Sequence, residues 1–130
     1  MDAKARTSPG TPITTHVLNT ATGTPASGLR VRLKQSCGKE QGELGELQWK
    51  TIQESVTAQD GRAGALSEGL TLQAGEIFEL HFETTEYFQS QGSPCFYPFV
   101  KVVFTIQEPQ SHYHVPLLIS PFGYSTYRGS

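Results

Sequence analysis

The 130-residue chain predicts an all-β sandwich carrying one short helix. Three observations lead there. Apolar and polar residues alternate with period two in segment after segment, turn residues separate those segments at short intervals, and a single stretch breaks the alternation. Successive side chains of a strand point to opposite faces, so alternation marks a strand with one face on a core and the other toward solvent.

Residues 1–11 are polar and rich in Ser, Thr, Pro and Gly, which predicts a disordered leader before a folded domain over 12–130. The first strand follows at Ile13-Thr14-Thr15-His16-Val17-Leu18-Asn19, with Thr14, His16 and Leu18 on one face and Val17 on the other. Ala21-Thr22-Gly23-Thr24-Pro25 is a turn. In Arg30–Lys34, Val31 and Leu33 oppose Arg30, Arg32 and Lys34. Gly38–Leu47, with three glycines and three glutamates, predicts a long exposed hairpin loop. Gln59-Asp60-Gly61-Arg62 is a strong turn signal. From Ile77 to Glu83, Phe78, Leu80 and Phe82 point away from Glu79, His81 and Glu83. Thr84 or Thr85 is expected to cap a short helix through Ser90, ended by Gly92, with Tyr87 and Phe88 packing on a sheet. Val100, Val102, Phe104 and Ile106 share one face of the next strand. Glu108-Pro109-Gln110 and Pro121-Phe122-Gly123 close the series, giving about seven or eight half-buried antiparallel strands.

Composition narrows the function. A formal net charge of -2 offers no basic excess for nucleic acid. No apolar run nears the roughly 20 residues that cross a bilayer, and the first dozen residues lack the apolar stretch of a secretory signal. Two cysteines, Cys37 and Cys95, fit reduced thiols better than a disulfide scaffold, which favours a cytoplasmic protein. The peroxisome is the second choice, although the chain does not end in Ser-Lys-Leu. A domain of this size folds no deep cleft of its own, so an enclosed pocket has to come from the sandwich mouth or from a subunit interface.

The chemistry-bearing residues are few. His16 shares a strand face with Thr14, and imidazole changes charge near neutral pH. His112 and His114 lie two apart and so share a face; they could ligate a metal, but no third ligand is identifiable. Arg62 follows a turn and presents a fixed fork of donors. The tail Tyr127-Arg128-Gly129-Ser130 adds a phenol, a guanidinium and a carboxylate if it is docked. A solvated surface is the plainer reading of each position alone, and spacing reaches only a sandwich with a polar face bearing His and Arg.

Resemblance adds more. Ile13–Asn19, Asp60-Gly61-Arg62, Cys95-Phe96-Tyr97-Pro98 through Val102-Val103-Phe104-Thr105, His112-Tyr113-His114-Val115-Pro116-Leu117-Leu118 and the terminal Tyr127-Arg128-Gly129-Ser130 resemble, in order, the 5-hydroxyisourate hydrolases. The family is similar in fold to transthyretin. It implies two four-stranded antiparallel sheets, one short helix, and a homotetramer built as a dimer of dimers with sites where dimers meet. It also implies hydrolysis of 5-hydroxyisourate to 2-oxo-4-hydroxy-4-carboxy-5-ureidoimidazoline in urate breakdown, without cofactor or metal.

Carried over by position, His16, Arg62 and His114 are the expected catalytic residues. His16, Arg62 and the tail from Tyr127 through Arg128 and Gly129 to Ser130 are expected to bind substrate. His112 stands just outside the motif and receives no catalytic role. Two departures concern loop geometry: Ala63 follows Arg62 where the family often has Cys-Pro, and the Gly38–Leu47 loop is longer than usual. The rival readings are a transthyretin-type thyroid-hormone carrier, which lacks the histidines and the arginine at these places, and an adhesion sandwich with solvated histidines.

Overall fold

The computed structural model describes residues 11–39 and 47–130. The expected leader therefore lies outside the described residues apart from Thr11, as does the Gly38–Leu47 loop apart from its ends. The elements are β1 (Ile13–Asn19), β2 (Thr24–Pro25), β3 (Arg30–Lys39), β4 (Leu47–Val56), β5 (Ile77–Phe82), α1 (Thr84–Ser90), β6 (Val100–Thr105), β7 (Tyr113–Ser120) and β8 (Gly123–Thr126). They form two four-stranded sheets, ordered β2-β1-β7-β8 and β4-β3-β5-β6. The sandwich expected from alternation is what forms. The one departure in strand direction is that β1 and β7 pair parallel, so the first sheet is mixed.

The core lies between the sheets. Val17, Leu117 and Ile119 from one meet Val31, Leu33, Phe78, Leu80 and Phe82 from the other, all essentially inaccessible to water. Burying each such side chain contributes about 1.5–3 kcal/mol before conformational entropy is counted. Along β1 the pattern is strict: Ile13, Thr15, Val17 and Asn19 are buried, while Thr14, His16 and Leu18 are half-buried on the outer face.

The helix occupies its expected place but is capped differently. Glu83 is the N-cap residue and makes no side-chain capping bond. The two threonines turn elsewhere: Thr84 Oγ1 donates to the Tyr97 carbonyl at 3.1 Å and Thr85 Oγ1 to that of Pro98 at 2.8 Å. They tie the helix to the 97–98 segment in place of its own first turn. The other end follows the expectation, since Gly92 takes φ +69°. Its N–H donates to the Gln89 carbonyl and the Ser93 N–H to that of Phe88, which satisfies the last carbonyls. Tyr87 and Phe88 are buried against the sandwich, and Asn19 Nδ2 donates to the Tyr87 hydroxyl.

Strand β5 differs from a half-buried strand. Its outer-facing Glu79 and His81 are only 2% and 7% exposed. Both sit on a central strand, flanked across the ladder by Lys34 and Arg32 of β3. The Phe99 ring stacks over His81 at 5.0 Å. Lys34 Nζ approaches Glu79 at 3.7 Å, and Arg32 pairs with Glu83. Glu79 Oε2 and His81 Nδ1 are buried without a hydrogen-bond partner.

Burial pushes the His81 pKa below its ordinary value, Lys34 and Arg32 push the same way, and Glu83 and Glu79 oppose them. The unfolded chain takes up a proton on this ring at about pH 6.5, the folded chain only at lower pH. The stability contributed by neutral His81 is thus complete above that value and is lost as pH falls below it. The urea midpoint should accordingly drop between about pH 7.5 and about pH 5, and drop less in His81→Gln. An identical pH dependence in the variant would remove His81 as the cause.

Candidate active site

The outer face of the β2-β1-β7-β8 sheet gathers the candidate residues. The parallel register sets Thr14 beside His114 and His16 beside Pro116. Beyond the two-residue β2, the Asp60-Gly61-Arg62 turn takes over the edge of β1. Val17 N–H donates to the Gly61 carbonyl at 2.9 Å, and a bridge joins His16 to Arg62. Asp60 Oδ1 accepts the Arg62 N–H at 3.0 Å and so shapes the turn. Gly61 has φ +84°, and a Cβ there would stand 2.5 Å from the Val17 carbonyl oxygen and 3.0 Å from His16 Cδ2. Only glycine lets the turn lie this close to the histidine. The Arg62 side chain is exposed, with Nε 3.9 Å from Asp60 Oδ2.

The tail closes the other side. Gly129 N–H donates to the His114 carbonyl at 2.7 Å in a second isolated bridge. A Cβ on Gly129 would meet His114 Cδ2 at 2.7 Å and Pro116 Cγ at 3.3 Å. Arg128 and Tyr127 go elsewhere within the chain. Arg128 Nη2 donates to the His112 carbonyl at 3.2 Å, and its guanidinium lies 4.3 Å over the ring of buried Tyr113. Tyr127 and Arg128 line an open cavity at the sandwich edge together with Val102, Phe104 and Val115. Tyr127 and Ser130 are exposed.

Of the residues singled out from sequence, the structure therefore brings together His16, Arg62, His114 and Gly129, all within one chain. Sequence reasoning missed Thr14 and undervalued His112. Thr14 Oγ1 lies 2.8 Å from His114 Nδ1 and 2.9 Å from His112 Nε2, and the two imidazoles stack at 6.4 Å. Alternation had put Thr14 on the His16 face, but its partners lie about a hundred residues away in the chain.

Burial lowers the His114 pKa, and Arg62, His112 and His16 lower it further by charge repulsion. A half-buried imidazole held neutral next to a permanent cation is equipped to accept a proton. The Arg62 fork beside it suits oxygen atoms that gain negative charge. Among the described residues no group of three or more His, Cys, Asp or Glu side chains is arranged to hold a metal ion.

A β-sandwich with a His/Arg cluster on the outer face of one sheet is thus the class that fold and site define. The family model described as HIUase/Transthyretin matches residues 13–129, and the chain belongs to that family. The 5-hydroxyisourate hydrolase of Mus musculus is 44% identical over 119 residues, covering 92% of this chain and 95% of the relative. Among solved structures, the Klebsiella pneumoniae 5-hydroxyisourate hydrolase superposes with a TM-score of 0.71 at 34% identity, covering 92% of this chain and 94% of that one. Sea bream transthyretin in complex with thyroxine superposes with a TM-score of 0.76 at 30% identity, covering 91% and 94%. Backbone similarity spans the hydrolase and the carrier alike, so the site has to separate them.

Gly129 offers a check on this geometry. Gly129→Ala forces His114 or the tail to move, because a contact of 2.7 Å cannot persist. The expected outcome is a folded protein whose His114 ring resonances shift in NMR spectra while the thermal midpoint changes by only a few degrees, about 1 kcal/mol or so. Unshifted His114 resonances would mean that the tail does not pack on the ring.

Proposed function

We propose that the chain hydrolyses 5-hydroxyisourate in urate degradation, and that His16, Arg62 and His114 perform the reaction. The observation that carries this reading is the convergence of the three on one sheet face, with His114 biased toward its neutral form. The hydrolase names of relatives over nearly the whole chain support it. A thyroid-hormone carrier has no need of a depressed imidazole beside a guanidinium.

In this mechanism a water held between His16 and His114 loses a proton to an imidazole as its oxygen attacks the ring carbonyl. Arg62 stabilises the oxyanion of the tetrahedral intermediate. The same proton then passes to the departing ring nitrogen as the C–N bond breaks. No cofactor enters, and every proton is returned. General acid–base catalysis of this kind contributes about 10²–10⁴-fold, and one oxyanion donor about 10²–10³-fold.

The assembly belongs to the same proposal. The cluster lies on an outer face with half-buried Leu18 and Leu118 in register beside it, an apolar surround that a second subunit can cover. Val103 on edge strand β6 is 52% exposed, and Phe122 before β8 is 69% exposed. These features support a homotetramer, a dimer of dimers, that encloses the site at the dimer–dimer interface. There the tail, anchored by Gly129 on His114, brings Ser130 to the substrate, while Tyr127 and Arg128, turned toward Tyr113 and Val102 within the chain, hold the tail in place. No described helix is long and apolar enough to cross a membrane. The cytoplasm is the proposed compartment, with the peroxisome as the alternative.

Freshly generated 5-hydroxyisourate, followed by ultraviolet absorbance, should disappear faster with the protein than without it. His114→Ala should lower kcat by about 10²-fold or more while the elution volume stays that of a tetramer. Undiminished turnover in that variant would remove His114 from the chemistry, and wild-type protein without effect on the absorbance decay would end the hydrolase reading.

A further inference from the structure

The Thr14 hydroxyl lies within hydrogen-bond distance of two imidazole nitrogens at once, His114 Nδ1 at 2.8 Å and His112 Nε2 at 2.9 Å. A hydroxyl has one hydrogen to donate and two lone pairs to accept with, so it donates to one ring and accepts from the other, or accepts from both. Three arrangements satisfy both contacts. In the first, His114 Nδ1–H donates to Thr14, Thr14 donates to His112 Nε2, and the proton of neutral His112 sits on its Nδ1. His114 Nε2 then carries a bare lone pair. In the second, His112 Nε2–H donates to Thr14, Thr14 donates to His114 Nδ1, and the His114 proton sits on Nε2. In the third, both rings donate to the Thr14 oxygen and its hydrogen turns away, which again leaves His114 Nε2 bare.

We propose that Thr14 is a positioning residue that fixes the tautomer of His114 and makes its Nε2 the proton-accepting atom, and that neutral His112 holds this arrangement by accepting the Thr14 hydrogen. This rests on the hydrolase reading for its consequence, though not for its geometry. The first arrangement is the working state. His114 remains an Nδ1–H donor to Thr14 both before and after Nε2 takes the proton of water, so no hydroxyl rotation interrupts catalysis. This is the service a carboxylate performs for a catalytic histidine, supplied here by a hydroxyl and a second ring.

Protonating His112 removes the acceptor of the Thr14 hydrogen. Its Nε2–H now donates, the Thr14 hydrogen is released, and where it turns to His114 Nδ1, neutral His114 exchanges its Nδ1 proton for one on Nε2 through solvent. The net uptake is one proton, on His112, and the base becomes a donor. Charge acts in the same sense, since His112, Arg62 and His16 all oppose a positive His114. Arg128, bonded to the His112 carbonyl, is a further cation among the described residues.

Three variants and one spectrum test this. Thr14→Val keeps the shape without the hydroxyl and should lower kcat by about 10–100-fold with KM little changed, the scale on which orienting partners of histidines act. Thr14→Ser should restore most of the loss. His112→Gln, whose amide can accept from Thr14 but also donate to it, should lower kcat less than Thr14→Val does and convert an acid limb of kcat/KM steeper than one proton into a one-proton limb. The ¹⁵N shifts of His114, read without substrate, should report an Nδ1–H tautomer at about pH 8 and a mixture in Thr14→Val.

An Nε2–H tautomer in the wild type, or a Thr14→Val protein with unchanged tautomer and unchanged pH profile, overturns the proposal. Because the spectrum needs no turnover, failure of the hydrolase reading registers separately, in the absorbance assay.

Discussion

The parallel pairing of β1 with β7 is the constraint on which the rest depends. It runs without slip from Ile13 opposite Tyr113 to Asn19 opposite Ile119. Because side chains alternate, a slip of β1 by one residue against β7 would carry Ile13 and Val17 out of the core and turn His16 into it, away from His114. Burying the core and building the site are therefore one event. Polar locks reinforce the register. Thr15 Oγ1 donates to the Val115 carbonyl at 2.6 Å, and Ser67 Oγ bonds both the N–H and the carbonyl of Ile13. All of these lie on the buried side, so they fix the pairing without occupying the face where the histidines stand.

Glycine holds the two flanks of that face. Gly61 and Gly129 stand where the Arg62 turn and the terminal tail press on His16 and His114, and in each case a single added carbon would collide with a neighbour. Their roles differ in kind. Gly61 is needed twice over, for its positive φ and for its closeness to the Val17 carbonyl, whereas Gly129 is needed for closeness alone. Within one chain the face between them stays open. The rings are half-buried and the guanidinium is open to water, so exclusion of solvent from the reaction falls to whatever packs against Leu18 and Leu118.

Alternation made β1, β3, β5 and β6, their inward faces and most turns legible in the sequence, because burial on one side imposes a period that local residues record. Three features were not legible, each for a physical reason. The direction of the β1–β7 pairing leaves no mark on either strand alone. The burial of Glu79 and His81 depends on Lys34, Arg32 and Phe99 reaching over from elsewhere, and period two looks the same whether the polar face is covered or wet. The threonines at the start of α1 were expected to cap it, but the 97–98 segment offered carbonyls that won their hydroxyls. The site shows the same division. His16, Arg62 and His114 were marked out by resemblance to a family, while Thr14 and His112 emerged only when two distant strands were laid side by side.

The pairing of a lowered His114 pKa with an adjacent Arg62 answers a difficulty of hydrolysis near neutral pH. A base strong enough to take a proton from water tends to be protonated already, and a cation that stabilises an oxyanion tends to be paired with a carboxylate. Here one guanidinium bears on both. Its charge helps keep His114 neutral, and Asp60, which shapes the Arg62 turn through the backbone, pairs with Nε only at 3.9 Å while the guanidinium stays exposed. In the proposed mechanism an imidazole without the arginine gains basicity but is more often occupied, and an arginine without the imidazole faces a water with nowhere to send its proton. That mutual dependence, more than the sandwich itself, is what the hydrolase reading asks of this face.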